Sequence, residues 1–240
     1  MAASAMWRLI VAVTAIIVVG IGTGVEPARA TTLDVLLGGQ SITAGDKTFS
    51  AWAQFGGNID PSSLAFIDVQ PLVDPPGNPG LRFVASNDVL AATGGELVDL
   101  GLQFTVSTPR PVIKDASLAL TGFERTGSAS LSIFEDLYTS PAVDDLVDLN
   151  LVYADAGGDQ LFDGGVFDPR SLLVVQTTIE LASGTAPGDF ASVTQFEERF
   201  SQVTAQVPTP GALPLLSIGL AALGFFRTRQ RRSQALRASP

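Results

Sequence analysis

Val98–Ser107 reads VDLGLQFTVS, and the order of its residues decides the fold. Val98, Leu100, Leu102, Phe104 and Val106 alternate with Asp99, Gly101, Gln103, Thr105 and Ser107. Successive side chains of an extended chain point to opposite faces, so this alternation describes a strand with one apolar and one wet face. A helix through the same residues would scatter the apolar ones around its circumference. The pattern spreads outward along the chain. SASLSIFEDLY puts Ala129, Leu131 and Ile133 on one face, and VDLNLVYAD does the same for Val147, Leu149, Leu151 and Tyr153. Lys47–Phe55, Leu64–Leu72, Leu81–Ser86, Lys114–Gly122, Ser171–Leu181 and Phe190–Val203 are further strand segments. In the last of these, Phe190, Val193, Phe196 and Phe200 also sit near helical spacing, but Phe190, Ser192, Thr194 and Phe196 fit a strand, which is the reading taken.

Turn chemistry separates these segments: DPPGNPG at Asp74–Gly80, ATGG at Ala92–Gly95 and DAGGDQLFDGG at Asp155–Gly165. About nine short strands at this spacing, with no long helical period, predict an all-β fold. The expected architecture is an antiparallel β-sandwich of the jelly-roll or Greek-key type over residues 31–205. Gly 24 and Pro 15, about a sixth of the 240 residues, suit short strands joined by many turns.

The chain has no cysteine and no histidine. The first absence removes disulfides, thiolate nucleophiles and Cys-ligated metal sites. The second removes Ser-His-Asp and Cys-His catalysis and the commonest transition-metal ligand. Between Thr31 and Val207 there are 7 Lys+Arg against 23 Asp+Glu, a net of −16, and five arginines follow Phe226. So acidic a body argues against nucleic acid as a partner, because phosphates need a basic surface.

Both ends carry the marks of targeting segments. The first thirty residues combine Arg8, an uncharged run from Leu9 to Ile21, and small residues at Ala28 and Ala30 flanking Arg29. That is the layout of a signal peptide cut after Ala30 by signal peptidase, with its apolar run forming a signal helix. Thirteen residues are short for a span of about 30 Å. At the other end, residues 206–240 contain Val207, Pro208, Thr209 and Pro210, then an uncharged run from Gly211 to Phe226, then Arg227, Arg229, Arg231 and Arg232. As a helix the run would be about 24 Å long, a short transmembrane segment. Its basic flank would set the topology with the arginines in the cytoplasm and the acidic body outside the inner membrane.

Three groups of residues are candidates for chemistry in the body. Asp155, Asp159, Asp163 and Asp168 lie in a glycine-rich stretch, and calcium takes six to eight oxygen ligands from such loops. The spacing does not match an EF-hand, and an exposed acidic hairpin loop is the plainer reading. Calcium is the single cofactor that the sequence raises. The adjacent pairs Glu135–Asp136, Asp144–Asp145 and Glu197–Glu198 are read as solvated faces or turns, because adjacency in sequence does not place two carboxyls across a cleft. Trp52, Phe55 and Tyr153 could form a sugar platform, although aromatic residues are more often core. No residue receives a catalytic role.

The run VPTPGALPLLSIGLAALGFFRTRQRR, Val207–Arg232, resembles the PEP-CTERM sorting signal in its Pro-x-Pro motif, short apolar helix and terminal Arg cluster. It is similar to the VPxPxxLPLL variant, with Thr209 standing where the usual tripeptide has glutamate. The resemblance implies an exported protein of a Gram-negative bacterium that makes exopolysaccharide. It also implies processing near Pro208–Pro210 by a membrane-embedded exosortase whose catalytic cysteine belongs to that partner. GDKTFS at Gly45–Ser50 and GNPGLRF at Gly77–Phe83 resemble β-rich passenger domains of such proteins. The expectation is a non-enzymatic cell-surface or extracellular-matrix protein with a structural or exopolysaccharide-associated body. Two alternatives stand beside it: a calcium-assisted carbohydrate-binding module, and a carboxylate-dependent polysaccharide-degrading enzyme.

Overall fold

A computed structural model describes residues 30–75, 77–110, 112–139 and 145–202. Ala28, the apolar run of the signal segment, Val207 to Pro210, the apolar run 211–226 and Arg227, Arg229, Arg231 and Arg232 lie outside the described residues. Among the described residues no helix is long and apolar enough to cross a membrane.

The described chain is all-β. In order, the strands are β1 (Thr31–Thr32), β2 (Ile42–Ala44), β3 (Lys47–Gly57), β4 (Ile67–Leu72) and β5 (Gly80–Ala85). Then come β6 (Ala91–Thr93), β7 (Leu97–Ser107), β8 (Ile113–Thr126), β9 (Ser130–Tyr138) and β10 (Leu146–Asp155). The last four are β11 (Gly158–Gln160), β12 (Phe162–Arg170), β13 (Leu172–Ala182) and β14 (Phe190–Gln202). They make two antiparallel sheets packed as a sandwich. The first runs β1-β4-β5-β14-β8-β12, with β6 also on β14; the second runs β11-β10-β9-β13-β7-β3-β2. From β6 onward the chain crosses repeatedly from one sheet to the other, so each sheet is completed by late strands.

The period-two reading holds where it was clearest. Leu100, Leu102, Phe104 and Val106 of β7 face the core, as do Leu131 and Ile133 of β9. β14 is a strand throughout, which resolves its helical alternative. Other expectations need correction. Leu64–Leu72 is a strand only from Ile67, because Pro61–Phe66 is a 3-10 turn. The Asp60 side chain caps that turn by accepting from the Ser62 N–H, and Pro61 takes the first position, where its missing N–H costs nothing. Leu33–Leu37 is a short helix, α1, that buries Leu33 and Leu36. In β10 the face carrying Leu149, Leu151 and Tyr153 points out, while Asn150, Val152 and Ala154 are buried. A register shift between Leu146 and Asp148 sets this phase. The stretch Asp155–Gly165 is not a loop: after a tight turn it forms β11 and the start of β12.

Six aromatic rings tie the sheets together. Phe196 stacks on Phe83 at 4.4 Å, and Phe83 meets the edge of Trp52 at 6.3 Å. Trp52 stacks on Phe104 at 4.5 Å; Phe104 adjoins Phe49 at 6.1 Å, and Phe49 reaches Phe200 at 5.8 Å. Trp52, Phe104 and Phe49 belong to the second sheet; Phe83, Phe196 and Phe200 belong to the first. Phe104→Ala removes the ring at the middle of this chain and is expected to cost roughly 3–5 kcal/mol. Urea unfolding measures it, and a loss below about 1 kcal/mol would mean that the rings do not couple the sheets.

Candidate functional site

The outer face of the second sheet presents rings and hydrogen-bonding side chains in register. β7 contributes Asp99, Gly101 and Gln103, opposite Glu180, Thr178 and Gln176 of β13. Those three lie beside Ser132, Phe134 and Asp136 of β9, which in turn oppose Tyr153, Leu151 and Leu149 of β10. Neighbouring strands are about 4.8 Å apart, so the glycine column of β7 and Phe134 are separated by about 10 Å. Gln176 Nε2 donates to Gln103 Oε1 at 2.8 Å, and the Tyr138 hydroxyl donates to Asp136 Oδ2 at 3.3 Å. Asp136 Oδ1 and Asp99 Oδ1 are buried without a partner.

Two irregularities in β3 aim its rings. Ser50 pairs with Thr105 and Ala53 with Gln103, so Ala51 and Trp52 together oppose one residue of β7. Ala51 takes φ 54, the left-handed region that a non-glycine residue rarely adopts. This bulge turns Trp52 into the core, where it is 6% exposed. A second shift, between Gln54 and Gly56, leaves Phe55 unpaired and lays its ring over Gly101. A Cβ on Gly101 would stand 2.9 Å from Phe55 Cε2, so only glycine lets the ring lie close to the sheet. Phe55 remains 49% exposed. A hollow of about 570 Å³ beside β3 is lined in part by Asp34, Trp52, Ala53, Gln54 and Pro61. Ala53 belongs to both the hollow and the face. Of the three aromatic candidates, Phe55 and Tyr153 therefore share one face, and Trp52 does not.

The four aspartates raised as calcium ligands are spread over three strands. Asp155 Oδ1 accepts from the N–H of Gly157 and of Gly158, closing the β10–β11 turn. Asp163 Oδ2 accepts from the Leu151 N–H at 2.9 Å, while Gln160 Nε2 donates to the Leu151 carbonyl at 2.9 Å. These two side chains satisfy the edge of β10 where β11 has ended, protecting it from pairing elsewhere. Asp159 lies in β11 opposite Ala154, and Asp168 lies near the end of β12. Among the described residues no group of three or more acidic side chains is placed to hold a metal ion.

Reading the adjacent carboxylates as solvated was wrong for two pairs. Glu135 and Glu198 are fully buried, each between inward-facing apolar neighbours. Adjacent strand residues face opposite ways, so one member of each pair must enter the core. Asn150 Nδ2 donates to Glu135 Oε2 at 2.7 Å, and the Thr177 hydroxyl donates to Glu198 Oε1 at 2.6 Å. Glu135 Oε1 and Glu198 Oε2 have no partner. Burial pushes the Glu135 carboxyl up to about 7, against the Asn150 hydrogen bond, with the charges of Asp148, Asp136 and Asp163 adding to the rise. Burial, then the charge of Glu135, holds Glu198 well above the usual carboxylate range. On the outer face of the first sheet Glu197 behaves oppositely. Burial would raise its pKa, but bonds from Arg82 and Arg199 outweigh it and hold the carboxyl low.

No family model matches the chain, and no curated protein matches it. Among solved structures it is similar to a carbohydrate-binding module, TmCBM61, in complex with beta-1,4-galactotriose. That pair is 12% identical with a TM-score of 0.26, over 62% of this chain and 87% of that one. It is also similar to the Glycosylation Associate Protein (Gap123) complex of Streptococcus agalactiae, at 16% identity and TM-score 0.28 over 62% of this chain and 26% of that one. A third similar structure is the enzymatically active domain of tailspike protein 4 of bacteriophage CBA120. There the identity is 11% and the TM-score 0.27, over 66% of this chain and 19% of that one.

The buried carboxyls carry a pH signature. A glutamate whose folded pKa lies above its ordinary value of about 4.5 contributes stability that is complete below that value. The contribution is lost as pH rises to about 7. Glu135→Gln keeps an acceptor for Asn150 and adds a donor facing Glu198. It is expected to raise stability near pH 8 by roughly 1–3 kcal/mol and to flatten the decline between pH 4.5 and about 7. Urea unfolding at a series of pH values measures the slope, and an unchanged slope would show that Glu135 is charged in the folded protein.

Proposed function

We propose that this protein is an exported β-sandwich that binds polysaccharide on the outer face of its second sheet. The observation that carries this reading is Phe55, an unpaired bulge residue whose half-exposed ring packs over Gly101 on a sheet of polar side chains. Sugar rings offer apolar C–H faces and hydroxyl edges. A half-exposed aromatic ring stacks on the first, and amide and carboxylate side chains such as Gln103, Gln176 and Glu180 bond the second. The bulge between Gln54 and Gly56 is what leaves this ring exposed, and bulges recur where a strand re-aims a side chain beside a functional site.

Binding is favoured over cleavage by where the acids lie. Glu135 and Glu198, which have the raised pKa of a general acid, are sealed inside the sandwich and cannot meet a glycosidic bond. Calcium is not needed by the reading, because Asp155 and Asp163 already accept backbone N–H groups. The segments 1–30 and 206–240 supply delivery: export first, then arrest at the inner membrane and processing by an exosortase-type enzyme near Pro208–Pro210. The body would then act at the cell surface or in the extracellular matrix.

Phe55→Ala and Tyr153→Ala are each expected to weaken retention on polysaccharide gels by about tenfold, or about 1.4 kcal/mol. Their unfolding midpoints should stay close to that of the parent. Affinity electrophoresis with and without calcium reads this, and unchanged retention of both variants would remove the face from the function. Delivery is tested separately: the full-length chain should be shortened near Pro208–Pro210 in an exosortase-containing host and should keep its tail in an exosortase-deficient one. Identical size and distribution in the two hosts would defeat the sorting reading.

A further inference from the structure

Every strand of the second sheet has been stripped of outward cations. Across β2, β3, β7, β9, β10, β11 and β13 the only Lys or Arg is Lys47, which is fully buried with its ammonium on Asp46 at 2.9 Å. The same face carries Asp99, Asp136 and Glu180. Asp99 and Glu180 stand directly opposite each other on β7 and β13, an arrangement of like charges that costs stability and that a lysine at either position would relieve. The first sheet shows the alternative on the same molecule, since its outer face places Arg82 and Arg199 on either side of Glu197. The acidity of the second face is therefore a local property of that sheet.

We infer that this face selects uncharged glycan chains and rejects polyanionic ones. The inference rests on the polysaccharide-binding reading of the same face and names its substrate class. Its physical basis is twofold. Carboxylates and amide oxygens accept the hydroxyl hydrogens of a sugar, whereas the carboxylate of a uronate or a sulfate group puts a charged acceptor where a neutral sugar has a hydroxyl donor. The anion also meets the acidic side chains Asp99, Asp136 and Glu180, with no guanidinium or ammonium among the described residues of the face to pair with it. A chain of alternating neutral rings keeps its stacking on Phe55 and Tyr153, and a charged chain of the same backbone keeps the stacking but adds repulsion.

Backbone-matched polymers separate stacking from charge. The full-length protein is run on affinity gels containing hydroxyethylcellulose or carboxymethylcellulose, and galactan or polygalacturonate, at low and high salt. At low salt the neutral member of a bound pair should be favoured at least tenfold. High salt should shrink that ratio, because screening acts on charges close to solvent. Glu180→Gln and Asp136→Asn should each shrink the ratio several-fold at low salt. If both members of a pair are held equally and Phe55→Ala releases both, charge selection is overturned while polysaccharide binding stands. If no member of either pair is retained, both readings fall together. A ratio that ignores salt and both carboxamide variants would also overturn the inference, since the preference would then come from shape.

Discussion

The chain of aromatic rings begins and ends on one strand, and most of the molecule follows from that. Phe196 and Phe200 are consecutive inward residues of β14 except for the one between them, which is Glu198. The rings of Phe83, Trp52, Phe104 and Phe49 complete an arc from one end of this triplet to the other. Such an arc gives the sandwich its thickness and much of its burial. It also encloses a carboxyl in apolar surroundings, where an unpaired charge is too costly to keep. Thr177 and Asn150 give Glu198 and Glu135 one hydrogen bond each, and no described cation approaches either. Protonation is the remaining way to lower the cost, and it converts two repelling groups into groups able to donate. Burial thus favours the protonated form of both core carboxyls.

The same arc connects the core with the outer face through β3. A regular strand carrying Phe49 inward would turn Ala51 inward and Trp52 to solvent. The bulge at Ala51 reverses that phase, so Trp52 joins the stack on Phe104. The second irregularity, four residues later, frees Phe55 to settle over Gly101 on the opposite side. One short strand therefore aims one ring at each surface of the sheet. Packing of Trp52 fixes the frame against which Phe55 is held, which is what a rigid recognition surface requires.

Alternation made nine of the fourteen strands legible, missing β1, β2, β6, β11 and β12, and it failed where hydrophobicity and direction part company. β7 and β9 read correctly because their inward residues are apolar without exception or nearly so. β10 inverted the rule: Leu149 and Tyr153 are the larger apolar side chains, yet Asn150 faces the core because it meets Glu135. Parity could have located both buried glutamates. Glu135 falls between Ile133 and Leu137, and Glu198 between Phe196 and Phe200, on faces otherwise wholly apolar. The start of the 3-10 turn is marked by Asp60-Pro61-Ser62, a capping signal that outweighs the period-two pattern of Leu64 and Phe66. The bulges of β3 had no such mark in the sequence, since a two-for-one pairing is defined by the partner strand. Phe55 and Tyr153 could be named as candidates, but only the ladder shows that they share a face and that Trp52 does not.

The contrast between the two outer faces argues for where function lies. On the first sheet, Arg82 and Arg199 both bond Glu197, and Arg199 also reaches the carbonyls of Asp74 and Asn78, so the charged groups there satisfy one another. That face is complete without a partner. On the second, Asp99 faces Glu180, Asp99 and Asp136 each bury an oxygen without a donor, and Phe55 sits half in water on a strand bent to place it. The opposed carboxylates and the buried oxygens lower the stability of the free protein. The half-exposed ring of Phe55 and the exposed carboxylate of Glu180 are the parts of this face open to solvent, and they are what the proposed polysaccharide binding would use.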